Sequence, residues 1–223
     1  MKTKFITASL FVSVLALSSC TEDPAPTPKS SVLVTHASYD APGVDLLVDG
    51  TVINTSALTY PNNTGYIELN AGTRNIKVNA SGTSTTVIEA DINFEENKDY
   101  SLFAANTLSA IEAVLTEDNL ATPASGNAHV RFVHLSPDAP AVDVAVDGGA
   151  VVFADFSFKE LSVFTPLPAG SYDLEVRLAG TTTVALDLDP ITLDAGKIYT
   201  VFAKGSVAGS GATALGAEII VNN

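Results

Sequence analysis

The chain has 223 residues, 46% hydrophobic and 16% charged, which is enough apolar sequence for one or two packed domains and excludes an intrinsically disordered chain. With 11 basic against 25 acidic residues its formal charge is −14, which argues against nucleic acid as a partner. One cysteine leaves no pair for a disulfide, so the fold must stand on its hydrophobic core.

Lys2 and Lys4 precede an apolar run, Phe5 to Leu17, too short to cross a bilayer as a helix and matching the core of a secretory signal. The run ends in Leu17-Ser18-Ser19-Cys20, which resembles the bacterial lipobox. That resemblance implies a cleaved signal peptide over residues 1–19 and a lipidated Cys20 that attaches the mature protein to the membrane. Without residues 1–19 the charge becomes −16, since both lost charges are lysines. Thr21-Glu22-Asp23 has no aspartate directly after the cysteine, where enterobacterial lipoproteins carry their inner-membrane retention signal, so the outer membrane is expected. The acids are also similar to signals that carry Bacteroidetes lipoproteins to the cell surface. Pro24, Pro26 and Pro28 favour an extended tether across residues 20–30.

Beyond the tether the chain repeats itself. A shift of 98 sets the fifteen residues from His36 to Gly50 against those from His134 to Gly148, and ten positions agree. A shift of 99 pairs Tyr100 and Phe103 with Tyr199 and Phe202. A period this long is domain-sized, so two tandem domains are expected, residues 31–122 and 128–223, each with its own core and joined by a short linker at 123–127. The Gly/Ser-rich insertion Gly205 to Thr213 in the second unit is expected to be its most mobile element.

Strand signals run through both units. Tyr172, Leu174, Val176 and Leu178 alternate with Ser171, Asp173, Glu175 and Arg177, predicting one apolar and one polar face. Runs such as Val130-Arg131-Phe132-Val133 and Ile198 to Phe202 have strand length and β-branched content, with Gly, Pro, Asn or Asp between them. The fold class is all-β: two antiparallel sandwiches, immunoglobulin-like or transthyretin-like, of seven or so short strands each.

The stretch Arg131-Phe132-Val133-His134-Leu135-Ser136-Pro137-Asp138-Ala139-Pro140-Ala141-Val142-Asp143 resembles the opening signature of domain of unknown function family 4397, found in bacterial surface and exported proteins. The first unit is similar to a diverged copy, with Tyr39 where the pattern has proline and Gly43 where it has alanine. The resemblance spans residues 31–222 and implies no reaction or ligand.

The signature reads first as turn chemistry. Ser136-Pro137-Asp138-Ala139 suits a type I turn, Pro140 pushes Ala139 toward an extended conformation, and Asp49-Gly50 and Asp147-Gly148 suit tight hairpins. Ser38, Asp40 and Pro42 repeat the pattern, and His36 and His134 read as structural histidines bonded to the turn, His134 to that of Asp138. The competing reading is calcium. Asp45 and Asp49 on one strand would stand roughly 13 Å apart, which leaves Asp40 with Asp45, and Asp138 with Asp143, as candidate pairs. A hydrolytic use of Ser136 with His134 lacks a G-x-S-x-G elbow, and three histidines cannot build two equivalent zinc sites. Glycan binding would have to use Tyr39, Tyr60 or Tyr66, since there is no tryptophan. Asn54, Asn62 and Asn79 open N-x-S/T sequons for which a bacterial lipoprotein has no default use. The expectation is a non-catalytic, cofactor-free, outer-membrane lipoprotein, facing the periplasm or the cell surface, that binds an unidentified protein or glycan or serves structurally. A calcium-dependent adhesin or glycan-binding protein is the alternative, and an uncharacterised hydrolase the outsider.

Overall fold

The computed structural model describes residues 26–223, so the signal segment, Cys20, Glu22 and Asp23 lie outside the described residues. The first repeat runs β1 (Lys29–His36), β2 (Val44–Val48), β3 (Thr51–Val52), β4 (Asn63–Asn70), β5 (Gly72–Ala80), β6 (Thr86–Phe94), β7 (Asp99–Ala105) and β8 (Glu112–Asp118). These strands form two sheets, ordered β4-β1-β7-β8 and β3-β2-β5-β6. The second repeat runs β9 (Asn127–His134), β10 (Val142–Val146), β11 (Val151–Phe156), β12 (Thr165–Pro168), β13 (Gly170–Tyr172), β14 (Leu174–Leu178), β15 (Val184–Asp187), β16 (Ile191–Leu193), β17 (Ile198–Lys204) and β18 (Gly216–Val221). Its sheets, β12-β9-β17-β18 and β11-β10-β14-β15, repeat the order of the first, and β13 pairs with β16. The expected all-β sandwiches are therefore present. One ladder in each departs from antiparallel pairing: β1 runs parallel to β7, and β9 to β17.

The change of repeat shift from 98 to 99 has a structural cause. Val78 opposite Ile88 matches Val176 opposite Leu186, but Arg74 opposite Ile92 matches Tyr172 opposite Ile191, one residue later on the second strand. The added residue falls at Asp189-Pro190. Proline has no N–H for the ladder, and the strand that is continuous as β6 is divided there into β15 and β16.

Alternation decides which residues enter each sandwich. Val32 and Val34 of β1 join Leu46, Ile76 and Phe94 in the first core, while Val130 and Phe132 of β9 join Val144, Val176 and Val201 in the second. The intervening residues of β1, β7, β9 and β17 are buried as well. Leu33, Ala37, Phe103, Ala105, Val133, Leu135, Phe202 and Ile220 form a third cluster, where the β4-β1-β7-β8 sheet meets the β12-β9-β17-β18 sheet. The molecule is four sheets deep, and the two cores expected from the repeat are joined by a third between them. Burial on both faces explains why the Val130–Val133 run shows no alternation of polarity beyond Arg131.

The polar face predicted for β14 is not a solvated one. Glu175 and Arg177 are buried and paired with each other, and Arg177 also donates to the carbonyls of Gly149 and Val146. Charge alternation marked the outward face correctly, but a long arginine can fold back onto backbone carbonyls and cover its own sheet. Asp49-Gly50 makes the predicted two-residue hairpin with both residues at positive φ, 49° and 80°.

Candidate functional site

The signature residues are committed to holding loops. In each repeat the histidine ends a central strand and reaches across the turn to the proline carbonyl, His36 Nε2 to Pro42 O at 2.9 Å and His134 Nε2 to Pro140 O at 3.2 Å. The histidine thus holds the Asp138 turn, and the contact falls at the turn's exit, on the carbonyl of Pro140. A carbonyl only accepts, so Nε2 carries the proton in the neutral ring, and Nδ1, which has no hydrogen-bond partner among the described residues, is the bare nitrogen. Both rings are fully buried, and desolvation holds both histidines below their ordinary pKa, against the raising effect of the proline carbonyls.

A histidine pKa lowered by folding means that the unfolded chain binds protons first. Stability is therefore full above the unfolded value of about 6.5 and is lost as pH falls toward the folded values. The urea midpoint is expected to drop between about pH 7 and about pH 5, with a shallower slope in a His36→Gln/His134→Gln variant. A flat midpoint across that range would contradict the assignment.

Asp138 anchors the inserted loop. It accepts from Ser206 Oγ at 2.6 Å and from the N–H groups of Val207 at 2.9 Å and Ala208 at 3.4 Å. Its burial raises the carboxyl pKa, but these three donors outweigh that effect and hold it below the ordinary value. The Gly205–Thr213 segment, expected from sequence to be the most mobile element of the second repeat, is tied to the signature turn at Ser206, Val207 and Ala208. Asp40 does the same in the first repeat, accepting from Leu108 N at 2.7 Å. Asp45 accepts from Ser81 Oγ and Gly82 N, and Asp143 accepts from Asp155 N and Gly180 N, all at 2.8–3.0 Å. Gly82 and Gly180 are equivalent and both turn at positive φ, so this aspartate closes the same hairpin twice.

The two carboxylates of each calcium candidate pair therefore serve different elements, Asp40 and Asp138 the loop after the parallel strand, Asp45 and Asp143 the hairpin. Among the described residues no three His, Cys, Asp or Glu side chains gather. Ser38 and Ser136 are fully buried and make only long contacts, 3.4 and 3.5 Å, with their neighbouring aspartates. His134 gives its Nε2 to a carbonyl rather than to Ser136, so no nucleophile and base are brought together there.

A second polar cluster, absent from the sequence reading, joins the repeats. Asp118 at the end of β8 accepts from Arg131 Nη1 at 2.5 Å, Tyr66 Oη at 2.5 Å and Ser101 Oγ at 2.6 Å. Arg131 donates further to Ser101 Oγ and to Thr200 Oγ1, Thr200 donates to Asn222 Oδ1, and Asn222 Nδ2 closes the circuit on Tyr66 Oη at 3.0 Å. The guanidinium also lies 4.5 Å from the centroid of Phe164. Burial and the Asp118 carboxylate push the Tyr66 hydroxyl well above its ordinary pKa. The one signal in the sequence was Arg131 itself, a lone charge in an apolar strand whose counterpart in the first repeat is Leu33.

The tyrosines proposed for glycan stacking are all half-buried. Tyr66 is held in this circuit. Tyr60 lies beside His36 and Lys204, and its hydroxyl, buried and near Glu218, is pushed up to about 12. A groove of about 500 Å³ opens instead along residues 53–59 and 62–64, against Ile67.

The family model described as domain of unknown function (DUF4397) matches residues 30–145 and 136–222, which bears out the resemblance read from the two signature copies. Comparison with curated proteins gives no match. Among solved structures the chain is similar to the Bacillus anthracis TIE protein, with 12% identity, a TM-score of 0.27, and coverage of 79% of this chain and 34% of that one. It is also similar to a family 26 carbohydrate-binding module of Eubacterium rectale Amy13K in complex with maltoheptaose, with 8% identity, a TM-score of 0.26, and coverage of 85% and 96%. The chain spans about a third of the length of the first of these.

Proposed function

This chain belongs to the DUF4397 family, and we propose that it is a non-catalytic envelope lipoprotein that presents a rigid two-sandwich binding body on a lipid anchor. The observation that carries this reading is the commitment of the repeated His and Asp side chains to turns and loops, which makes the signature a device for holding a scaffold. The apolar seam and the closed polar circuit between the repeats support a single rigid body rather than two modules on a swivel. The reading fails if the purified protein hydrolyses members of a broad ester and glycoside panel and Ser136→Ala abolishes that activity.

Attachment and location rest on the Lys2–Cys20 signal. Cys20→Ser is expected to leave the protein unlipidated and shift it from the membrane to the soluble fraction, and retention in the membrane would remove the anchor from the proposal. Protease treatment of intact cells separates the two faces of the envelope. Cleavage of the body supports a cell-surface role and the export reading of Glu22 and Asp23, while protection supports a periplasmic one.

A further inference from the structure

We infer that the groove in the first repeat is a binding site for a neutral saccharide chain, which names the ligand class of the binding body proposed above and rests on that reading. The groove exists because the first repeat departs from the second at two positions. In the second repeat β11 continues along β10, with the backbone of Phe153 opposite Val144. In the first, β3 stops at Val52, and the side chain of Asn54 takes over the pairing with β2. Its Oδ1 accepts from Leu46 N at 2.7 Å, and its Nδ2 donates to Val44 O at 3.1 Å. An amide side chain thus stands in for a strand, and segment 54–57 is released from the ladder between the Ile53 N–H, which still donates to Leu46 O at 2.9 Å, and Leu58, which pairs with Val44. The residue facing the same position of the second repeat is Phe153, opposite Val144, and its side chain has no polar atom to do this.

Gly43 is the second departure. A Cβ there would come within 3.2 Å of Ala57 Cβ and 3.3 Å of Thr59 Cγ2, so its absence lets the groove wall sit close to β2. The second repeat has Ala141 at this position.

The lining specifies the ligand. None of its eleven residues is ionisable, and seven are Asn, Ser or Thr, on a chain whose formal charge is −14. Charged ligands find no counter-charge in the groove, and an apolar ligand would strand its amides and hydroxyls. The hydroxyls of Thr55 and Ser56, Oδ1 of Asn62 and Nδ2 of Asn63 are exposed and have no hydrogen-bond partner among the described residues. The peptide N–H groups of Thr55, Ser56 and Ala57 are likewise unpaired among the described residues. Mixed donors and acceptors without charge match the hydroxyls of a neutral sugar, and the volume, about 500 Å³, is that of a small-ligand site.

The test is calorimetry of the mature protein, in a non-glycosidic detergent, with cellopentaose, maltopentaose and xylopentaose, and with trigalacturonate as the charged control. At least one neutral sugar is expected to bind at millimolar concentration or below and trigalacturonate is not. Asn62→Ala/Asn63→Ala, two exposed positions, should weaken binding about tenfold, the effect of one or two lost hydrogen bonds to the ligand, while lowering Tm only slightly through the exposed bonds to Thr59 and from Gly65 N. Asn54→Val and Gly43→Ala should weaken it by deforming the groove. No heat from any of the three neutral sugars, equal binding of trigalacturonate, or unchanged affinity in the Asn62→Ala/Asn63→Ala variant would overturn the assignment. Cleavage of a bound sugar would overturn the non-catalytic reading while leaving the groove assignment in place.

Discussion

Asp118→Ala is expected to lower the unfolding free energy by about 3–5 kcal/mol, because it leaves the Arg131 guanidinium buried without a carboxylate. The Arg131 side chain is 2% exposed and that of Asp118 0%, so water cannot replace the lost partner without opening the seam between the repeats. The same substitution also takes the acceptor from Tyr66 and Ser101. Replacing both ends, Arg131→Met with Asp118→Leu, should recover most of that loss, since an apolar pair of similar size strands fewer polar groups. Urea unfolding of the three proteins checks this, and a loss below about 1 kcal/mol in Asp118→Ala would show that the ion pair is not isolated from solvent.

The circuit also distinguishes unlike from like pairing of the repeats. At a shift of 98 the counterpart of Arg131 is Leu33. The ladders Phe103 opposite Val114 and Phe202 opposite Glu218 make Asn222 the counterpart of Asp118. Two first repeats joined through this face would bury Asp118 against a leucine, and two second repeats would bury Arg131 without a carboxylate. Either mismatch carries the cost of a stranded charge, so the polar set directs the first repeat onto the second.

Phe202→Ala is the second large effect, expected to cost about 3–5 kcal/mol and to divide unfolding into two transitions. Phe202 is fully buried at the seam, its ring centroid 6.4 Å from that of Phe103, its repeat counterpart. Truncating it leaves a cavity between two rigid sheets, where neither side can collapse without distorting its own sandwich. Because the seam shares one apolar cluster between both repeats, the unaltered protein should melt in a single calorimetric transition. Two separate transitions in that protein would mean that the repeats are stable alone and the seam adds little.

The elements that sequence reasoning reached are those written in local patterns. Strand periodicity, the Asp49-Gly50 hairpin and the doubled signature depend on residues within a few positions of one another, or on comparing the chain with itself. The roles of the signature residues were only partly legible. That His134 supports its own turn could be read from its position. That Asp138 holds Ser206, Val207 and Ala208 could not, because 68 to 70 residues separate them and only the parallel placement of β17 beside β9 brings them together. The groove was missed for a related reason: Asn54 looked like an idle sequon, and its use as a surrogate strand depends on its reaching β2.

By itself the sequence determined that this chain carries two copies of one β-sandwich unit, because turn residues, alternation and internal repetition act over short range. The tertiary structure decided how the two copies join. A strand such as β1 or β9 buries both faces, and its residues do not record whether the outer one meets solvent, a partner or the other repeat. That choice came from docking one sheet on the other, which put Arg131 against Asp118 and made two domains into one body.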